Sequence, residues 1–185
     1  MKLLHNISIF ICSVILLLIN SDKLHAVNSY TPWEPEIVKL FEAMPVQEEG
    51  RLKPMQTVAR YKLLRINNSK RLSFTIGNEK IRISATEWLM DCLFRPEVAK
   101  ELPIFKINNP AVIESIGVTS HASPRERYSY NEIYNVPDAM RLLSERSIEL
   151  GKKINDQDNE EESKEVRRNP VNAGILSLKS SINEF

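Results

Sequence analysis

Leu72-Ser73-Phe74-Thr75-Ile76-Gly77-Asn78-Glu79-Lys80-Ile81-Arg82-Ile83-Ser84-Ala85-Thr86-Glu87-Trp88-Leu89 changes its period part-way along. Leu72, Phe74 and Ile76 alternate with polar residues, and Ile81 and Ile83 resume the alternation after Gly77-Asn78. That pattern predicts two strands joined by a tight turn. At Ser84 the period shifts from two to about 3.6. Ser84-Ala85-Thr86-Glu87 is a capping box: the Ser84 oxygen can accept the N–H of Glu87 while the Glu87 carboxylate accepts the N–H of Ser84. Trp88, Leu89, Cys92 and Leu93 follow at helical spacing. A hairpin that feeds a capped helix sets the expected fold class: a mostly helical α+β protein, a single small domain with a short β-hairpin.

Towards the N-terminus the pattern stays helical. Asn67-Asn68-Ser69 closes a helix predicted over 55–66, with Val58, Tyr61, Leu63 and Leu64 facing inward and Pro54 suited to its start. Before it, 46–53 reads as an extended connection that reverses at Glu49-Gly50, where the glycine allows a positive φ. Pro35 opens an earlier helix whose Ile37, Leu40, Phe41 and Met44 form one apolar stripe, ended by Pro45.

Towards the C-terminus, Arg95-Pro96 breaks the helix and starts a short one. Residues 103–107 read as extended, and 110–116 as a short helix capped by Gly117. Residues 118–128 form a polar loop, after which Tyr128 to Ile133 begins the next packed segment. A long helix is predicted over 138–154, with Leu142, Leu143, Ile148 and Leu150 available for packing. Residues 155–168 are charged and almost free of apolar side chains, which suggests a linker or a solvated helix. Val171, Ile175, Leu178 and Ile182 then give a C-terminal amphipathic helix over 169–185.

The first residues read as a targeting segment. Lys2 precedes a near-continuous apolar run over 7–19, and Leu24-His25-Ala26 places a small residue at a cleavage site. The run is shorter than the roughly 20 residues of a spanning helix. The expected organisation is therefore a signal peptide over 1–26, a globular extracytoplasmic domain over 27–154, a linker over 155–168 and the final helix. The destination is the periplasm or its equivalent, with membrane association through a partner or a retained anchor. Cleavage after Ala26 leaves Cys92 as the lone cysteine and His121 as the lone histidine, so no internal disulfide is available.

Chemistry-bearing residues are sparse. The formal charge is +1 across 185 residues, without the basic excess of a nucleic-acid surface. No glycine-rich phosphate loop, Cys-x-x-Cys or Cys-x-x-Cys-His occurs. Glu34, Glu36, Glu87 and Asp91 lack a companion nucleophile, histidine or metal set, so no enzyme, cofactor or metal site is expected. Cys92 beside Leu93 reads as packing, and His121 as a solvated loop residue. Two cationic clusters could hold an anion or a partner: Arg51, Lys53 and Arg60, and Arg125, Arg127, Tyr128 and Tyr130. Acids stand close to both, at Glu48, Glu49, Glu126 and Glu132.

Three blocks carry a family likeness. The first is Met44-Pro45-Val46-Gln47 with Gly50-Arg51-Leu52-Lys53-Pro54 and Thr57-Val58-Ala59-Arg60. The second is Ser84-Ala85-Thr86-Glu87-Trp88-Leu89-Met90-Asp91 with Phe94-Arg95-Pro96. The third is Pro103-Ile104-Phe105 with Arg127-Tyr128-Ser129-Tyr130-Asn131-Glu132. In order and spacing, over roughly 33–133, they resemble the extracytoplasmic N-terminal region of system II cytochrome c assembly proteins, which handle haem. The resemblance implies a non-catalytic accessory component of cytochrome c biogenesis. Its implied partners are a multi-span membrane haem-handling protein and apocytochrome c. In that family the haem ligands belong to the membrane part, so none is carried onto a residue here. The resemblance equally suits a split subunit or a truncated product of a larger assembly protein. A different reading is a small periplasmic binding protein for an anionic ligand, built on the Arg/Tyr cluster.

Overall fold

Pro35 opens helix α1 (Pro35–Ala43), where its missing N–H costs no helical bond. In the computed structural model, which describes residues 29–120, 127–156 and 159–185, two strands follow at once. β1 (Pro45–Glu48) and β2 (Arg51–Pro54) pair antiparallel around Glu49-Gly50, both at positive φ, 51° and 75°. Successive left-handed residues give the mirror-image turn whose twist suits a hairpin. The predicted extended connection is thus itself a hairpin. Val46-Gln47-Glu48 and Arg51-Leu52-Lys53 lack the alternation that marks a half-buried strand, so only the turn was visible.

Helix α2 (Met55–Asn67) continues directly from β2. Then β3 (Arg71–Ile76) and β4 (Glu79–Ser84) pair with Leu72 opposite Ile83 and Phe74 opposite Ile81. Ser84 both ends β4 and caps α3 (Ala85–Phe94). Its Oγ accepts the Glu87 N–H at 3.1 Å, and the Glu87 carboxylate accepts the Ser84 N–H at 2.7 Å. Shorter elements come next: α4 (Pro96–Ala99), β5 (Phe105–Lys106) and α5 (Pro110–Glu114). β6 (Arg127–Tyr128) pairs with β5. α6 (Tyr130–Tyr134) begins on a second capping box, Ser129 with Glu132. Three helices finish the chain: α7 (Ala139–Asn155), α8 (Glu160–Arg168) and α9 (Pro170–Glu184). The protein is a small single-domain α+β fold, mostly helical, with short antiparallel strand pairs.

The core lies where α2, α3 and α9 meet the second hairpin and the β5–β6 pair. Leu63, Leu72, Trp88, Phe105, Tyr128 and Leu143 are almost fully buried within it. Each large apolar side chain so buried contributes about 1.5–3 kcal/mol over leaving it in water. The C-terminal stripe docks as its spacing predicts, with Ile175, Leu178 and Ile182 buried.

The inward face of α2 needs correction, and the other apolar spacings are only partly buried. Of the α1 stripe only Phe41 is buried; Ile37, Leu40 and Met44 are 48%, 68% and 49% exposed. On α2, Leu63 is buried, Leu64 is half-buried and Tyr61 faces solvent, because the inward face runs through Val58, Ala59, Leu63 and Ile66. On α3, Leu93 is exposed while Met90 and Asp91 are buried, and on α7 Ile148 is exposed. The stretch 155–168 holds α8, whose Val166 is buried in the common core. Apart from that residue it is the largely solvated helix that its composition allows. Acids in its first turn and arginines in its last suit the helix dipole. The signal peptide assigned to 1–26 lies outside the described residues. Among those described, no helix is long and apolar enough to cross a membrane.

Candidate functional site

Asp91 organises the region between the start of the described chain and α3. It is fully buried, yet sits mid-helix between Met90 and Cys92. The Tyr30 hydroxyl donates to its Oδ2 at 2.8 Å and the Trp33 indole N–H to its Oδ1 at 2.8 Å. The Arg95 guanidinium donates to Oδ1 at 2.9 Å and 2.5 Å, and its third nitrogen reaches the Thr31 carbonyl at 2.8 Å. Arg95 also lies over the Trp33 ring, 4.0 Å from its centroid. Burial pushes the Asp91 carboxyl above its usual range, against the pull of the Trp33, Tyr30 and Arg95 donors. The same burial, with the Asp91 charge behind it, raises the Tyr30 phenol. All of these donors converge on the one carboxylate, and the cluster clasps the lead-in to α3.

The clasp seats α1. Trp33 and Phe41 both meet the Phe94 ring edge to face, at 6.1 Å and 6.0 Å between centroids. The Thr86 hydroxyl donates to Glu42 at 3.0 Å. Phe41 is the inward margin of the α1 stripe, and Ile37, Leu40 and Met44 continue the same stripe outward into solvent. The Met55 N–H donates to the Met44 carbonyl at 2.8 Å, pinning the base of the first hairpin to the end of α1. Strand residues alternate between faces. Pro45 opposite Pro54 and Gln47 opposite Leu52 therefore share one face, and all four are exposed, Leu52 at 78%. An apolar strip thus runs from Leu40 through Met44, Pro45 and Pro54 to Leu52.

The other hairpin face carries Val46, Glu48, Arg51 and Lys53. Lys53 is already engaged, 3.0 Å from Glu48 and 3.6 Å from Glu49, and the Glu48 hydrogen bond raises its pKa. Arg51 and Arg60 are exposed and form no ion pair among the described residues.

The second cationic cluster does not assemble as a surface. Tyr128 is fully buried, because its pairing opposite Phe105 carries it into the core. Arg127 is half-buried and donates to the Ser73 carbonyl at 3.2 Å, tying β6 to the second hairpin. Tyr130 is half-buried, stacked on Tyr134 at 5.4 Å and close to Phe185 at 5.6 Å. Arg125 and His121 lie outside the described residues. Cys92 is half-buried; burial first, then the Asp91 charge, pushes its thiol up to about 12, which leaves it protonated and weakly nucleophilic at neutral pH. No three His, Cys, Asp or Glu side chains gather into a metal set among the described residues.

Fold and surface define a small α+β domain with an exposed apolar strip, and with Arg51 and Arg60 exposed and outside any ion pair among the described residues. No protein-family model matches the chain, and no curated protein or solved structure matches it.

Proposed function

We propose that this chain is a non-catalytic docking component of cytochrome c assembly, held outside the cytoplasm against a multi-span membrane haem-handling protein. Apocytochrome c is the second partner implied by that role. The observation that carries the docking part is the exposed strip from Leu40 to Leu52, beside Arg51 and Arg60. Leucine and methionine at this exposure are shielded by nothing in the described chain, and contiguous exposed apolar surface is a mark of interaction sites. The cytochrome c part rests on the sequence likeness of the three blocks. The first of those blocks, 44–60, is the segment that forms the exposed hairpin and the start of α2.

The experiment is capture of the tagged chain from its native membranes in mild detergent, alongside a Leu40→Ser/Leu52→Ser variant and an Arg51→Ala/Arg60→Ala variant. Recovery of a tryptophan-rich, multi-span haem protein by the unaltered chain, lost in both variants at unchanged melting temperature, supports the proposal. Equal recovery by all three chains removes the strip from the interface. Recovery of no such protein removes the cytochrome c role.

A further inference from the structure

A concavity lined by none of the strip residues lies elsewhere in the molecule. The C-terminal part of α2, the β5 strand with its following loop, α5 and the inner edge of α9 enclose a cleft of about 540 Å³. That volume falls within the roughly 300–1,000 Å³ of small-molecule sites. Its lining is mixed: Phe105, Ile107, Val112 and Leu178 lie beneath the floor, none more than 6% exposed, and asparagines and serines share the walls. Two cations, Arg65 and Lys106, stand in its lining, and no carboxylate does.

Arg65 is not consumed by its one neighbouring acid. Glu184 Oε1 receives Lys62 Nζ at 3.1 Å and Arg65 only at 3.4 Å, the long edge of a hydrogen bond, and the Arg65 side chain stays 62% exposed. Most of its donors are therefore available for a ligand. Lys106 is exposed and has no ion pair among the described residues. Small side chains keep the α9 wall open: Ala173, Gly174 and Ser177 face the cleft. Beside them α9 presses on α5 so closely that a Cβ at Gly174 would lie 2.4 Å from Val112.

We propose that this cleft binds a small amphiphilic carboxylate, with its apolar body on the Phe105–Leu178 floor and its charged head between Arg65 and Lys106. The site is distinct from the Arg/Tyr cluster that suggested an anion reading in the sequence, and it is independent of the docking strip. Guanidinium and ammonium together favour a carboxylate by charge and by directed donors. The apolar part of the mixed lining would receive the chain of the amphiphile, which a bare anion would not use.

The test uses the full chain with octanoate as probe, and octylamine and octanol as controls. Binding is followed by calorimetry and by amide chemical shifts. Octanoate should bind saturably, at least tenfold tighter than octylamine or octanol, with shifts centred on α9 and the loop after β5. The charge-reversed pair Arg65→Glu/Lys106→Glu should lose at least tenfold in octanoate affinity at unchanged melting temperature. Ser177→Trp, at an exposed position, should block binding by filling the cleft. Absence of saturable binding, equal binding of octylamine, or less than a twofold loss in the charge-reversed pair overturns the proposal.

Discussion

The chain uses the same construction twice and puts it to opposite ends. β1–β2–α2 and β3–β4–α3 are each a hairpin with a two-residue turn that passes directly into a helix, and the two helices pack on each other. In the second unit one hairpin face is sealed: Leu72, Phe74 and Ile83 are buried, and Ser84 caps the helix. In the first unit no strand residue is buried, and Pro54 precedes α2 with no side-chain cap. The second unit is held by its own packing and hydrogen bonds. The first is held at its base by the Met44–Met55 backbone bond and leaves its apolar face open. The difference teaches that hairpin geometry is indifferent to burial. Turn chemistry makes both, and side-chain placement decides which serves the core.

The contrast can be broken most severely at Asp91, on the helix that the second unit launches. Asp91→Ala removes the acceptor for Tyr30, Trp33 and Arg95 and should cost about 3–5 kcal/mol, measured by denaturant unfolding. The carboxyl also carries a pH signature. Its pKa is raised above 3.8, so the folded chain keeps the proton after the unfolded chain has lost it. Stability from this group therefore falls as the pH climbs away from 3.8 and levels off once the folded carboxyl has ionised. Asp91→Asn should flatten that slope in unfolding curves taken across the acid range.

Next in size is the matched pair of leucines. Leu72→Ala should lose about 2–5 kcal/mol by opening a core cavity. Leu52→Ala, at an exposed site, should stay within about 0.5 kcal/mol. Similar losses at both would show that the first hairpin is buried in solution. The smallest comparison concerns the helix starts. Ser84→Ala should cost about 1 kcal/mol, whereas Pro54→Ala removes no cap and should shift the melting temperature far less.

Legibility followed the range of the interactions. The Gly77-Asn78 turn, the Ser84/Glu87 box and the α9 stripe all depend on residues within a turn or two of each other, and all three could be read from the chain. Asp91 could not, because its Tyr30 and Trp33 partners lie 61 and 58 positions away. The available signal was a carboxylate inside the apolar run Leu89-Met90-Asp91-Cys92-Leu93. The α1 stripe was visible as a stripe, but periodicity is silent on what an apolar edge faces. Only the inward Phe41 found the core. Val166 was hidden differently, a single apolar residue amid the charges of 155–168. Of the candidate cations, Arg51 and Arg60 came out exposed. Tyr128 was lost to the core through a strand pair too short to carry a pattern.

The clasp at Asp91 also has a mechanical meaning. Tyr30 and Trp33 are the first described side chains to grip the body of the protein, and both grip the same carboxylate, with Arg95 locked across it to the Thr31 carbonyl. A tug arriving along the chain from residue 28 would not peel α1 away turn by turn. It would load α3 directly, through the buried Asp91 carboxylate.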